Sequence, residues 1–200
     1  GTTGDLDILD GVTLTGAGAD ATFINGMSQD RVFHVAAGAP VKLSKMTIES
    51  GLTLFSQEDG GGIRNFGTLE LSKVILTSNS ASGGGGAIAS FGAGSSLTIT
   101  DSTFENNSSN GPLGGGAIFN GSQTTITRGV LKNNSSSFNG GAIVNASSGS
   151  LTLLQSTVKP NGSGLGAKGG GIYNNGALTA NYTTISGNTA SLQTGAPATT

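Results

Sequence analysis

Residues 85–107 read GGAIASFGAGSSLTITDSTFENN. Residues 115–134 read GGAIFNGSQTTITRGVLKNN, and residues 140–161 read GGAIVNASSGSLTLLQSTVKPN. Each stretch opens on a double glycine and a single Ile, continues to an L/T-x-L/I pair, then to an S/G-x-Φ segment, and closes on Asn. The same order is found upstream at GGGI ending at Ile63 and downstream at GGGI ending at Ile172. Aligning the five copies produces ladders. One runs Val41, Leu69, Leu97, Thr124, Leu151, Leu178, with steps of 28, 28, 27, 27 and 27 residues. A second, two residues on, runs Leu43, Leu71, Ile99, Ile126, Leu153, Ala180. A third runs Ile48, Leu76, Phe104, Leu131, Val158, Ile185, and a fourth, polar ladder runs Gly51, Asn79, Asn107, Asn134, Asn161, Asn188.

Repetition in phase is the signature of a solenoid. It separates this chain from a disordered Gly/Ser-rich segment, the other reading its composition allows. Within each repeat three short segments alternate apolar and polar residues, so each has one buried face and one wet face. Three strands per ~27 residues, divided by Gly, Asn and Ser turns, predict one coil of a parallel β-helix per repeat. About seven coils at the ~4.8 Å strand spacing make a rod of roughly 30–35 Å. The general crossover preference makes it right-handed. Residues 1–188 form the single domain on this reading. The first 40 residues are less regular, with Val12-Thr13-Leu14-Thr15 repeating the Leu-x-Leu pair and Phe33-His34-Val35 replacing a Gly-Gly strand. Residues 189–200 read as a last turn and a Thr/Ala/Pro-rich tail or linker.

The double glycines mark places of close backbone packing or positive φ. The row Asn79, Asn107, Asn134, Asn161, Asn188 is a candidate turn ladder. Asn accepts the left-handed conformation, and its amide can hydrogen-bond to the same amide one coil along. A looser row follows the Gly-Gly strands: Asn65, Ser90, Asn120, Asn145, Asn174. Segment length varies between the Asn row and the next double glycine, and solenoids gather such variation on one side, often the binding side.

Composition excludes several functions. The 200 residues carry 36 Gly, 9 Lys+Arg and 11 Asp+Glu, with one His and no Cys. Nine scattered cations do not make a nucleic-acid footprint. Without Cys there is no disulfide framework and no thiolate metal site. No apolar run approaches the ~20 residues of a membrane-spanning helix. No secretory leader is visible at GTTGDLDILD, which fits either a removed leader or a fragment.

The repeat GG[AG]I…N…LTI..S.F..N resembles the repeats of bacterial surface β-helix proteins, including the polymorphic outer-membrane proteins of chlamydiae. The opening GVTLTGAGADATFING…DRVFHV, followed by LSKMTIESG and GGGI, is similar to large secreted bacterial β-helix proteins that carry an N-terminal Cys-Ser-Leu-Arg-Glu-Ala motif. That motif is absent here, which suggests a precursor extending upstream of Gly1. The resemblance runs from about Gly11 to Asn188. It implies export to the cell surface or beyond and an adhesive or structural role, without naming a ligand.

Polysaccharide lyases and hydrolases on this fold need converging carboxylates. The outward rows offer none. They place opposite charges on neighbouring coils at Lys42/Glu70, Asp101/Arg128 and Glu105/Lys132, ordinary cross-strand pairs. Asp5, Asp7, Asp10 and Asp20 suit Ca²⁺ by ligand type but match neither an EF-hand nor a nonapeptide Ca²⁺ repeat, and read as solvated turn acids. His34 reads as a surface or edge-strand residue. No catalytic residue, cofactor site or metal site is assigned. The residues after the Gly-Gly Ile include Phe119, Val144 and Tyr173. These form either an exposed apolar stripe able to stack on sugars or join partners, or a row covered by the variable loops. A Thr-rich array through Thr13/Thr15, Thr98/Thr100, Thr125/Thr127, Thr152 and Thr179 resembles the faces of ice-binding solenoids, although Lys42 and Glu70 interrupt it and Leu154 and Asn181 break its second column. The expected function is a non-enzymatic extracellular or cell-surface structural or adhesive module. Its expected partners are itself by end-to-end stacking, neighbouring domains of a longer chain, or glycans and host-cell surface molecules. A carbohydrate-active β-helix is the alternative, and ice binding a minor one.

Overall fold

The computed structural model describes residues 4–55 and 57–191. Every strand in it pairs in parallel with the equivalent strand one coil away. The strands stack into four sheets, three of seven strands and one of five. The glycine sheet runs from Leu6–Ile8 through Phe33–Val35, Ile63–Asn65, Ile88–Ser90, Ile118–Asn120 and Ile143–Asn145 to Ile172–Asn174. The leucine sheet runs from Val12–Thr15 to Ala177–Asn181, and the third sheet from Phe23–Asn25 to Thr184–Ile185. The molecule is therefore a parallel β-helix of seven coils.

The aliphatic ladders are its inward files. Val41, Leu69, Leu97, Thr124, Leu151 and Leu178 are successive Cα partners, and so are Ile48, Leu76, Phe104, Leu131, Val158 and Ile185. Away from the ends these side chains are fully buried in one continuous core. Each large aliphatic contributes about 1.5–3 kcal/mol of burial. Thr124 takes an aliphatic position by giving its hydroxyl hydrogen to Asn120 Oδ1 at 2.8 Å.

The double glycine divides two tasks between its members. Gly140 holds φ at +65°. A Cβ on Gly141 would stand 2.0 Å from the carbonyl oxygen of Gly170 on the next coil. The first glycine supplies a left-handed corner and the second lets two coils touch backbone to backbone.

The Asn row works differently from the turn role expected of it. Left-handed φ falls on the residue before it, at Ser50, Ser78, Asn106 and Asn133. A second left-handed row opens the third sheet at Lys45, Lys73, Asp101, Arg128, Gln155 and Tyr182. Asn79, Asn107 and Asn134 themselves point inward and are buried. Each Nδ2 donates to the Oδ1 of the next Asn, at 3.0 Å for Asn79–Asn107, Asn107–Asn134 and Asn134–Asn161, and at 2.9 Å for Asn161–Asn188. The Oδ1 atoms of Asn107, Asn134 and Asn161 also accept the backbone N–H of the preceding Asn. The file thus satisfies the polar backbone of a buried corner. The second row is likewise inward, with Asn120 donating to Asn145 and Asn145 to Asn174. At Ser90 the hydroxyl stands in for the amide, accepting from Asn65 at 3.0 Å.

The fourth sheet is an addition to the three strands per coil read from sequence. Its strands have two residues each: Ser80–Ala81, Ser108–Ser109, Ser135–Ser136, Gly162–Ser163 and Thr189–Ala190. Thr189–Ala190 pairs with Gly162–Ser163, so the strand pattern continues past Asn188. Residues 192–200 of the expected tail lie outside the described residues.

Candidate functional site

The outward file of the glycine sheet is Asp7, His34, Arg64, Ala89, Phe119, Val144 and Tyr173, in register. Alternation places these side chains on the outer face. Even so, Phe119 is 7% exposed and Val144 4%, while Tyr173 is half-buried. The outer face grows its own small core of Ala89, Phe119 and Val144, with Phe91, Ala146 and Tyr173 packed on it. Phe119 and Val144 therefore present no open stripe. The cover comes from Phe91 and Ala146, two residues beyond Ala89 and Val144 in the turns that follow their strands, and from Tyr173.

Phe66 and Phe91 were not singled out in the sequence. Their signal is a spacing of two residues beyond Arg64 and Ala89, the alternation that carries a chain round a corner. Together with His34 and Phe119 they make a run of rings along the rod. His34 meets Phe66 edge-on with centroids 5.9 Å apart, Phe66 stacks on Phe91 at 5.9 Å, and Phe91 lies 5.0 Å from Phe119. The Arg64 guanidinium sits 4.9 Å over the Phe66 ring, a cation–π contact. Beside Phe91 and Phe119 lies an open cleft of about 640 Å³ lined by Gly92–Ser96, Gly121–Gln123, Ser148 and Ser150. The surface here is an apolar ridge next to a neutral, hydroxyl-lined hollow. Such a surface can take apolar or sugar faces, and the lining of the hollow carries no carboxylate or imidazole.

Charge gathers at the first coils. Arg31 pairs with Asp5 at 2.9 Å, and its Nε donates to the carbonyls of Asp59 and Gly60. His34 Nδ1 lies 3.0 Å from Asp7. Asp5, Asp7 and His34 each place one ligand atom within 4.8 Å of the others, while Asp10 and Asp20 are not part of that group. Asp10 accepts the N–H of Gly11 at 2.7 Å, as a turn acid does. Burial pushes the Asp59 carboxyl up, against the N–H of Gly84 and the nearby guanidinium groups that pull it down.

The three cross-coil ion pairs form as the rows require. Lys42–Glu70 closes at 2.9 Å, Lys132–Glu105 at 2.8 Å, and Arg128 grips Asp101 with Nε at 2.6 Å and Nη2 at 3.0 Å. The bidentate bond from Arg128 holds the Asp101 carboxyl below its ordinary value. Thr98, Thr125, Thr152 and Thr179 stand in one outward file behind Lys42 and Glu70.

Comparison with known proteins agrees with this geometry. Residues 73–90 and 101–121 match the Chlamydia polymorphic membrane protein repeat. Each matched stretch runs from the third sheet through the fourth to the glycine strand. Between them they contain Asn79, Asn107, Asn120 and the glycines at 85–86 and 115–116. No curated protein and no solved structure matches the chain. The chain thus carries repeats of the kind found in a bacterial surface-protein repeat family, folded as a β-solenoid.

Proposed function

We propose that the chain is a non-enzymatic rod segment of a bacterial surface or extracellular protein, with a structural or adhesive role. The observation that carries this reading is the outward surface of the interior coils. Its rows hold Thr, Ser and three ion pairs that bridge neighbouring coils, with no two carboxylates on adjacent coils of a row, beside the neutral hollow next to Phe91. Glycosidic cleavage asks for two carboxyl groups facing one bond. Asp5 and Asp7 bring two carboxylates within 4.8 Å of each other, but each is engaged by a cation or imidazole of the neighbouring coil. The resemblance of the opening stretch to large secreted β-helix proteins supports the same assignment.

The last coil leaves inward-file residues Leu178 and Ile185 exposed at 39% and 47%. An unpaired strand edge over apolar residues templates further strands. End-to-end continuation, onto further coils or a second copy, belongs to this reading. Incubating the purified chain with pectins, alginates and glycosaminoglycans tests the enzymatic alternative. No new reducing or unsaturated ends are expected, and their release would overturn the proposal. Retention on a glycan array or on host-cell monolayers would support adhesion over a purely structural role.

A further inference from the structure

Among the described residues, large apolar side chains that are exposed fall into three places. The first coil has Leu6, Leu9, Phe23 and Met27, and the last coil has Leu178, Tyr182 and Ile185. Of the others, Leu113, Phe138 and Leu165 lie on the loops between the fourth sheet and the glycine sheet, and Leu54 and Phe55 on the equivalent loop before Ile63–Asn65, where Leu52 bridges to Ser80. Their exposures run from 40% to 77%. Elsewhere on the flanks the large apolar side chains of the described residues are buried or, as at Phe66 and Phe91, half-buried.

These loops are not loose ends, because they stack on one another as the strands do. Gly60 N donates to Gly84 O, Gly85 N to Gly114 O, Gly115 N to Asn139 O, and Gly140 N to Lys168 O. Ser137 Oγ donates to Asn110 Oδ1 at 3.1 Å, and Lys168 N to Asn139 Oδ1 at 2.8 Å. The apolar tips therefore stand in file along one edge, at coil spacing. From one end the loops present Leu54 and Phe55, then Ser82–Gly84, then Leu113, then Phe138, then Leu165. The second loop has no large side chain and cannot take one. A Cβ on Gly83 would stand 2.3 Å from Asp59 Oδ1, and one on Gly84 2.6 Å from Leu113 Cβ.

We infer that this edge pairs with the same edge of a second copy, the two rods antiparallel about a two-fold axis at Leu113. In an isologous contact residue i meets j and j meets i. Turning the file about its third loop sets Leu113 against Leu113. It sets Phe138 against the Ser82–Gly84 gap, and Leu165 against Leu54 and Phe55. Charge follows the same symmetry. Glu58 flanks Leu54 and Phe55 at one end, Lys168 flanks Leu165 at the other, and the loops between carry no charge. The two-fold brings Glu58 of each copy to Lys168 of its partner, whereas parallel pairing would set like charges together. The edge spans about four coil steps, ~19 Å, which belongs to the small, weakly associating class of interface. This lateral contact is separate from end-to-end continuation and does not depend on it.

Sedimentation of the full chain over a range of concentration tests the inference. A reversible monomer–dimer equilibrium is expected. Leu113→Lys with Phe138→Lys should abolish it while leaving the far-UV spectrum and the melting transition in place. Glu58→Lys and Lys168→Glu should each weaken the dimer at least several-fold, and the double reversal should restore it. A single cysteine at Leu113→Cys should crosslink copy to copy on mild oxidation, and one at Leu165→Cys should not. Monomer at every concentration would overturn the proposal. So would assembly beyond dimers that ignores the lysine variants, or efficient crosslinking at position 165. Assembly of the former kind would speak for end stacking alone.

Discussion

Asn134 Oδ1 accepts two hydrogen bonds from Asn107, one from its backbone N–H at 3.1 Å and one from its amide at 3.0 Å. Asn134→Ala strands both donors in a buried corner, takes the amide donor away from Phe104 O, and leaves Asn161 Oδ1 with only the backbone N–H of residue 134. A loss of about 3 kcal/mol or more is expected, read from the urea midpoint. Glycine positions separate two kinds of cost. Gly38→Ala meets no atom within 4 Å but keeps φ at +81°, and should cost about 1 kcal/mol. Gly141→Ala drives a methyl into Gly170 O and should prevent stable folding, as loss of the cooperative melt would show. Two carboxylates have opposite pH signatures. Asp101 is held low by Arg128, so the stability this pair gives at neutral pH is lost on acidification through and below the ordinary carboxylate range. Asp59 is raised by burial, so its charge costs stability at neutral pH and acidification relieves that cost. Comparing urea midpoints at pH 7 and about pH 3, Asp101→Asn should lessen the acid loss. Asp59→Asn should raise the neutral midpoint and deepen the acid loss.

The coil is the element that sequence made legible. Alternating segments with large aliphatics announced three strands, and the 27- and 28-residue steps set their register before any coordinate. The fourth strand carried no such signal, because its inward residues are Ala81, Ser109, Ser136, Ser163 and Ala190, small groups without hydrophobic contrast. The Asn file was legible as a ladder but not as an inward one, since Asn suits both a left-handed corner and a buried amide stack. Phe119 and Val144 point outward as alternation requires. What the pattern could not show was the cover drawn over them by Phe91 and Ala146. A register claim this definite permits surgery. Excising residues 124–150 joins Gln123 to Leu151, which takes the place of its own register partner Thr124. The shortened chain should keep a β-rich spectrum and a cooperative melt. Excising 124–149 instead slips the strand by one residue and turns its apolar side chains outward, and that chain should fail to fold.

As a whole molecule the protein is a short rod whose exposed large apolar side chains, away from its first and last coils, gather on one edge. Its proposed roles as surface module and lateral dimer both rest on the seven-coil stack. The outward file Lys42, Glu70, Thr98, Thr125, Thr152, Thr179 advances one coil at each step. The chain has no Cys, so pairs of introduced cysteines can be spin-labelled without background. Distances by electron–electron double resonance from position 42 to positions 125, 152 and 179, diluted in unlabelled chain, measure the stack itself. They should be narrow and should grow by ~4.8 Å per step, reaching ~24 Å of backbone separation at position 179. Broad distributions, or increments far from ~4.8 Å between positions 125, 152 and 179, would contradict the stack and everything built on it.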